Sequence, residues 1–368
     1  MKHNWEYKRL GDICTVNFGK RIVAKDTTPG PYKVYGGGGA TFTTLNFNRE
    51  NCTIVSRFAM SSNCVRFVKG KFFLNDSGLT IETKIDYLTQ GFIDKFLWVN
   101  QPLIFGLGRG MAQKNLNVKA LLEINVPVPP MEVQERIVAE LDKINETIED
   151  CRELLRNLDA LAQSLFYDTF GDPNTNPKNW NISTFGEIGT FIRGGGFLKR
   201  DFVDFGIPCI HYGQIHTKFG EVVRKNLTYI SEYTALKSKF AKPNDVILAI
   251  TSEDLEGSCK SVAWLGDFEV AVGGHAAIFT HNQNPVFISF YTRSNAFCIE
   301  KEKYAHGSKV VEIRPKDIEK IPIYLPPLEL QKKFAERIEQ IEAQKKTVEN
   351  TIAELQTLLD SRMDYWFN

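Results

Sequence analysis

INVPVPPMEVQERI (Ile124–Ile137) and IPIYLPPLELQKKF (Ile321–Phe334) carry the same punctuation in one chain. Each places Pro-Pro-x-Glu-x-Gln directly before a long helical pattern. Proline pairs block helix on their N-terminal side and suit a helix start. Working outward, Gly110–Phe170 aligns with Gly307–Phe367 without a gap, at a constant offset of 197 residues. A weaker echo lies upstream. Leu10-Gly11-Asp12-Ile13 resembles Phe185-Gly186-Glu187-Ile188, Gly19 matches Gly194, and GPYKVYGG (Gly30–Gly37) resembles GIPCIHYG (Gly206–Gly213). The chain is an imperfect internal repeat. Each half is a diverged globular block followed by a better-matched helix.

The helices follow from spacing. Ile137, Leu141, Ile144, Ile148, Cys151, Leu155, Leu158, Ala162 and Leu165 recur in an unbroken 4,3 series. Phe334, Ile338, Ile341, Lys345, Val348, Ile352, Leu355, Leu359 and Arg362 repeat it. A 3.5-residue period marks a coiled coil, so these apolar positions form the expected seam of a helix pair, with Lys345 as a register device or a snorkelling stem. Each helix should run about 37 residues, or about 55 Å. The competing reading packs each stripe on its own globular block alone. A block of about 155 residues returns the chain to the same end of the coil more easily than it carries it 55 Å back, so the pair should be antiparallel. Short apolar runs, Val246–Ile250 and Ala276–Phe279, read as buried strands. The expected fold is α+β: two mixed α/β globular domains separated by an antiparallel two-helix coiled coil with pseudo-two-fold repeat. Expected boundaries are 1–130, 131–170, 171–327 and 328–368.

Net charge is only +1, with 45 Lys+Arg against 44 Asp+Glu. The distribution is uneven. Residues 1–130 hold 17 Lys+Arg and 9 Asp+Glu (17 − 9 = +8), whereas 131–170 hold 4 and 10 (4 − 10 = −6). The first block suits a polyanion; the acidic helix does not. Seven cysteines, an odd number without a CxxC pair, argue against a disulfide framework or a zinc ribbon and for a reducing cytoplasm. The opening MKHNWEYKRLGDI lacks the apolar core of a secretory signal, and no run of about 18 apolar residues predicts a membrane span.

The order of variable block, PP-x-E-x-Q helix, variable block, PP-x-E-x-Q helix resembles the specificity subunits of type I restriction–modification systems. So do Gly110-Met111-Ala112-Gln113-Lys114-Asn115-Leu116-Asn117 before the first proline pair and the Gly30–Gly39 loop. The resemblance covers essentially the whole chain. It implies that each variable block is a target-recognition domain reading one half of a split double-stranded DNA site. It implies that the helices dock two methyltransferase subunits, which restriction subunits then join. It also implies N6-adenine methylation with S-adenosylmethionine bound by the partner, so this chain should hold no cofactor and perform no catalysis. The sequence departs from a closed repeat in one respect: the junction around Phe170-Gly171 has no counterpart after Asn368.

Expected DNA-contacting residues are basic, amide and aromatic side chains in Gly-rich loops. In the first block these are Lys20, Arg21, Tyr35, Arg57, Arg66, Arg109 and Lys114. In the second they are Arg193, Lys199, Arg200, His211, Tyr212, Gln214, Arg224 and Lys309. Arg forks onto guanine O6 and N7, Gln onto adenine N6 and N7, and Lys more often holds phosphate. For each, the plain alternative is a solvated charge or a structural loop residue. Gly36–Gly39 and Gly194–Gly196 either admit close approach of DNA or form ordinary turns. Enzyme readings find little support. Asn-Pro-Pro-aromatic and its Asp variant are absent, as is GxxxxGK[ST]. Asp76 with Glu82-Thr83-Lys84 loosely resembles a nuclease D…ExK. The six histidines form no HxxxH or HExxH, so no metal is expected. A coiled-coil scaffold that ignores DNA is the remaining rival.

Overall fold

The computed structural model describes residues 4–111, 113–307 and 310–367. The chain forms two compact units, 1–152 with 350–368, and 153–349. Two 40-residue helices, Met131–Phe170 and Leu328–Phe367, start immediately after the proline pairs, and each gives one end to each unit. The first stops at Gly171, whose φ of +83° favours glycine.

In the first unit, Glu6–Arg9 pairs antiparallel with Asn125–Val128, beside the chain that enters the first long helix. One helical turn, Leu10–Ile13, follows. A six-stranded sheet then runs in the order Cys14–Phe18, Gly78–Thr83, Arg49–Ser56, Val65–Leu74, Tyr32–Gly36, Gly39–Thr44. Only Tyr32–Gly36 against Val65–Leu74 is parallel. Helix Gln90–Val99 is N-capped by Thr89 and buries Phe92, Ile93, Phe96 and Leu97. These residues share a core with Ile137, Leu141, Ile144 and Ile148 of the first long helix and Leu359 and Trp366 of the second.

The second unit opens in the same way. Asn181–Thr184 pairs with Pro322–Leu325, then come the turn Phe185–Ile188 and the strand Gly189–Arg193. Two five-stranded sheets replace the single sheet of the first unit. One has the order Gly189–Arg193, Ala276–His281, Val246–Ala249, Lys260–Trp264, Val222–Val223. The other has the order Phe202–Val203, Thr228–Ile230, Ile207–Ile210, Val270–Val272, Lys239–Ala241. Both apolar runs expected to be strands are strands, and both are buried. Helix Pro285–Thr292, capped by Asn284, faces an aromatic core in which Phe334 lies 5.1 Å from Phe170 and 5.9 Å from Phe166.

The long helices therefore pack antiparallel. The start of the first meets the end of the second in one unit: Arg362 Nη2 donates to Glu140 at 3.0 Å. The end of the first meets the start of the second in the other: Lys345 contacts Asp159 at 2.7 Å. Lys345 also pairs with Glu342 at 2.8 Å; burial would lower its pKa, but the two carboxylates more than offset this and raise it. Of the seam positions, Ile137, Leu141, Ile144, Ile148, Leu158, Phe334, Ile338, Ile341 and Leu359 are buried, whereas Leu155, Leu165, Val348, Ile352 and Leu355 are half-buried. Towards its end the first helix buries Leu158, Ala162, Phe166 and Phe170, a spacing of four, because that segment fills a globular core as well as facing the partner helix. Pairing with the other helix and packing on the block occur together.

The motif glutamines explain how each long helix is fastened. Gln134 is fully buried; its Nε2 donates to Tyr87 O (2.9 Å) and Pro129 O (2.8 Å), and its Oε1 accepts from Thr89 N (2.8 Å). Gln331 is also fully buried; its Nε2 donates to Gln283 Oε1 and Pro326 O (both 2.8 Å), and its Oε1 accepts from Asn284 N (3.0 Å). Each glutamine ties the proline turn at the head of a long helix to the capping residue of a domain helix.

Candidate nucleic-acid interface

Beneath their different sheets the two units share a backbone hydrogen-bond frame. In the first, Gly19 N donates to Gly78 O (3.0 Å), Arg57 N to Ser77 O (2.8 Å) and Leu116 N to Arg57 O (2.8 Å). In the second, Gly194 N donates to Ala276 O (2.9 Å), Ile250 N to His275 O (3.0 Å) and Ile313 N to Ile250 O (3.0 Å). Leu116 and Ile313 stand 197 residues apart, as do the motif glutamines. The frame makes Arg57 equivalent to Ile250 and Ser77 to His275. The side chains projecting from it form a rim on each unit.

The first rim is basic and aromatic. Arg57 is half-buried, with its guanidinium 4.8 Å from the Phe18 ring centre and 4.5 Å from that of Phe58. Phe18 and Phe58 are both exposed. Beside them lies the Gly36–Gly39 turn, where Gly37 N donates to Ser77 Oγ at 3.0 Å and Gly37 O accepts from Ser56 Oγ at 2.8 Å. Lys114 reaches over the Phe105 ring at 4.1 Å, and its carbonyl accepts from Met60 N at 2.9 Å. Lys20 and Arg21 are exposed on the loop after Cys14–Phe18. Arg109 is exposed beside the Asn117 amide. Two expected readers turn inward instead. Arg66 donates to Gly37 O (2.9 Å) and Asn63 O (2.8 Å), so it braces the glycine turn. Tyr35 packs edge-on against Phe72 at 5.3 Å.

The second rim differs. A cleft of about 1420 Å³ opens there, lined by Tyr212, His216, Thr251, Glu253, Lys260 and His275 among others. Its cations are committed to protein carbonyls. Lys260 donates to His216 O at 3.1 Å, Lys301 to Glu256 O at 3.0 Å and to Ser258 O, and Arg293 to Gly220 O at 2.8 Å. Burial lowers the pKa of all three. The Tyr212 ring lies 4.5 Å from His211 and 5.0 Å from His275. His211 caps the short helix Tyr212–Thr217; burial first, then His275 and Lys199, lowers its pKa, favouring the neutral ring. Gln214 is used structurally, accepting from His211 N and donating to Thr228 Oγ1. Arg193 pairs with Glu312 at 2.9 Å, and Arg224 with Glu339 on the second long helix at 2.5 Å. Lys199 and Arg200 are exposed on the turn Lys199–Asp201. Lys309 lies outside the described residues.

The glycine loops divide. A Cβ on Gly37 would lie 2.5 Å from Phe58 O, and one on Gly194 would lie 2.4 Å from Gly273 O, so these glycines serve close approach within the chain. A Cβ on Gly38 or Gly196 would meet nothing within 4 Å. Sequence reasoning missed Phe18 and Phe58, because aromatic residues beside strands carry no signal of exposure. It also missed Tyr233 and Phe205 in the second unit, 73% and 89% exposed. The nuclease pattern does not assemble. Asp76 sits in the turn before the strand Gly78–Thr83, Glu82 lies near the far end of that strand, about 13 Å along it from Gly78 at 3.3 Å per residue, and Lys84 donates to Gly11 O. Among the described residues no group of three His, Cys, Asp or Glu is placed to hold a metal, and no helix is long and apolar enough to cross a membrane.

Comparison with known proteins agrees along the chain. The type I restriction modification DNA specificity domain matches residues 2–157 and again 177–357. The MjaVIII type I restriction enzyme specificity subunit of Methanocaldococcus jannaschii is 22% identical, over 92% of this chain and 86% of its own length. The EcoKI specificity subunit of Escherichia coli is 24% identical, over 46% of this chain and 37% of its own. In fold, the crystal structure of the S subunit from M. genitalium matches with a TM-score of 0.59 at 17% identity, covering 98% of this chain and 95% of that one. A chain from a study of type I R-M complex assembly and conformational transition matches at 0.57 and 18%, covering 99% and 97%.

Proposed function

The chain belongs to the type I restriction modification DNA specificity family, and we propose that it reads a bipartite, asymmetric site in double-stranded DNA, one half-site on each rim. One backbone frame presenting two chemically different rims carries this reading: two unlike readers need two unlike half-sites. Exposed Lys20, Arg21, Arg109, Lys199 and Arg200 suit phosphate, and Arg57, Tyr212 and His275 suit base edges. Residues 1–130 and 171–327 act as the target-recognition domains, and 131–170 and 328–368 as spacer helices. Two adenine-N6 methyltransferase subunits carrying S-adenosylmethionine dock on those helices, and restriction subunits join them. The protein works in the cytoplasm; its seven cysteines, all free thiols, support a reducing compartment.

The test is methylation mapping. The chain is purified with its methyltransferase partner and given S-adenosylmethionine and unmethylated genomic DNA, and modified adenines are located by single-molecule sequencing. The expected result is a split asymmetric motif with a methylated adenine in each half, appearing only when this chain is present. No chain-dependent motif, together with DNA binding that lacks a steep salt slope, would refute the reading in favour of a scaffold.

A further inference from the structure

We propose that Arg57 reads a guanine in the half-site of the first unit, and that the second unit has no corresponding guanine reader. The inference rests on the DNA-reading function above and deepens it to one residue and one base.

Four observations carry it. The backbone of Arg57 is pinned on both sides, its N–H by Ser77 and its carbonyl by Leu116. Its side chain is aimed by two phenyl rings, Phe18 and Phe58, which hold a guanidinium without using its hydrogen-bonding edge. Among the described residues that guanidinium has no hydrogen-bond or ion-pair partner. Arg49 and Arg66 spend theirs on protein: Arg49 donates to Thr80 Oγ1 and Asn48 O, Arg66 to Gly37 O and Asn63 O. Finally, the frame does not need an arginine here, because Ile250 makes the same two backbone bonds in the second unit, fully buried. A planar fork held in place with its donors free matches the paired acceptors O6 and N7 that guanine shows in the major groove. Arg21 is exposed as well, but among the described residues no ring or carboxylate lies against it.

The experiment uses the chain in complex with its methyltransferase partner. The wild-type motif is mapped first, then those of Arg57→Gln and Arg57→Lys, with circular dichroism confirming the fold of each. A guanine at one position of one half should relax in both variants while the other half stays unchanged. Replacing that guanine by 7-deazaguanine, which lacks N7, should weaken wild-type binding by roughly 5- to 150-fold and leave the variants little affected. Lysine is the sharper variant because it keeps the charge and removes the fork. A variant motif identical to the wild type would overturn the assignment. So would loss of methylation on every sequence by folded variants, which would make Arg57 a phosphate contact. Absence of any wild-type motif would instead sink the reading on which the assignment rests.

Discussion

Gln134→Leu tests whether the motif glutamine fastens helix to domain. Gln134 is fully buried and satisfies three groups: the Thr89 N–H and the Tyr87 and Pro129 carbonyls. Leucine keeps most of the volume and leaves all three without their partner. Each orphaned buried group costs about 1–3 kcal/mol, with the N–H at the upper end because carbonyls tolerate partial satisfaction better. Leucine recovers part of this by burying apolar surface, so the net loss should be about 2–4 kcal/mol. That is a large share of the 5–15 kcal/mol typical of a domain, yet the first unit should still fold. Hydrogen exchange on the intact chain locates the effect. The Thr89 amide and the first turn of Gln90–Val99 should exchange roughly 30- to 700-fold faster, at 1.4 kcal/mol per tenfold. Gln331→Leu should act on Asn284 in the second unit in the same way. Gln134→Glu is a sharper probe. Its carboxylate faces two carbonyls, so its folded pKa is raised; the variant should be most stable below pH ~4, where the acid donates again, and weaken as pH rises. Unchanged Thr89 exchange in Gln134→Leu, or a loss under about 1 kcal/mol, would refute the fastening role.

Other consequences follow from titratable groups. Burial depresses His281 to a pKa of about 4, and among the described residues its Nε2 lacks a partner. Stability from keeping this ring neutral is complete above pH ~6.5 and is lost as pH falls towards 4. Acid titration of unfolding should show roughly 2–3 kcal/mol lost in that window, and His281→Phe should flatten it. Glu140 accepts from Arg362 and from Trp366 Nε1 at 3.0 Å; the Arg362 bond outweighs burial and holds its pKa below the usual range. Glu140→Gln should cost about 2 kcal/mol at pH 7. The difference from wild type in thermal unfolding should begin to shrink as pH falls below ~4.5, where the unfolded-state carboxylate takes up a proton, and go on shrinking until the native carboxylate protonates below that range.

The parts of the fold set by local chemistry were readable from sequence. Proline pairs at 129–130 and 326–327 place both helix starts, and the 4,3 series anticipates the helix pairing. Val246–Ala249 reads as a strand because an unbroken apolar run suits a sheet covered on both faces. What was not readable depends on distant contacts. Nothing in Val-Gln-Glu says that Gln134 reaches Tyr87, forty-seven residues away. Arg57 and Arg66 look alike in sequence, each directly before a phenylalanine. Only the fold turns Arg66 onto the Gly37 carbonyl and leaves Arg57 between two rings. The second unit's division into two sheets rests on pairings such as Cys209 with Ala271, whose separation no local pattern encodes.

The separation of frame from rim makes an asymmetric prediction. At positions 57 and 250 the frame uses only backbone N–H and C=O, so the side chain is free to differ provided its surroundings accept it. The surroundings at 57 are open on one side: Arg57 is half-buried between rings that are themselves exposed. Arg57→Ile should therefore lose only the two ring contacts, about 1 kcal/mol. At 250 the side chain is enclosed with Phe279, Phe287 and Phe297 in the second unit's core. Ile250→Arg would bury a cation among these apolar side chains, at a cost of about 3–5 kcal/mol. Urea unfolding of the two variants measures both numbers on the same scale. Equal losses, or an Ile250→Arg variant within about 1 kcal/mol of wild type, would show that the two positions are not distinguished by burial. The expected inequality means that a base-reading arginine can be gained or lost at position 57 without disturbing the fold, whereas the second unit must place its readers elsewhere on its rim.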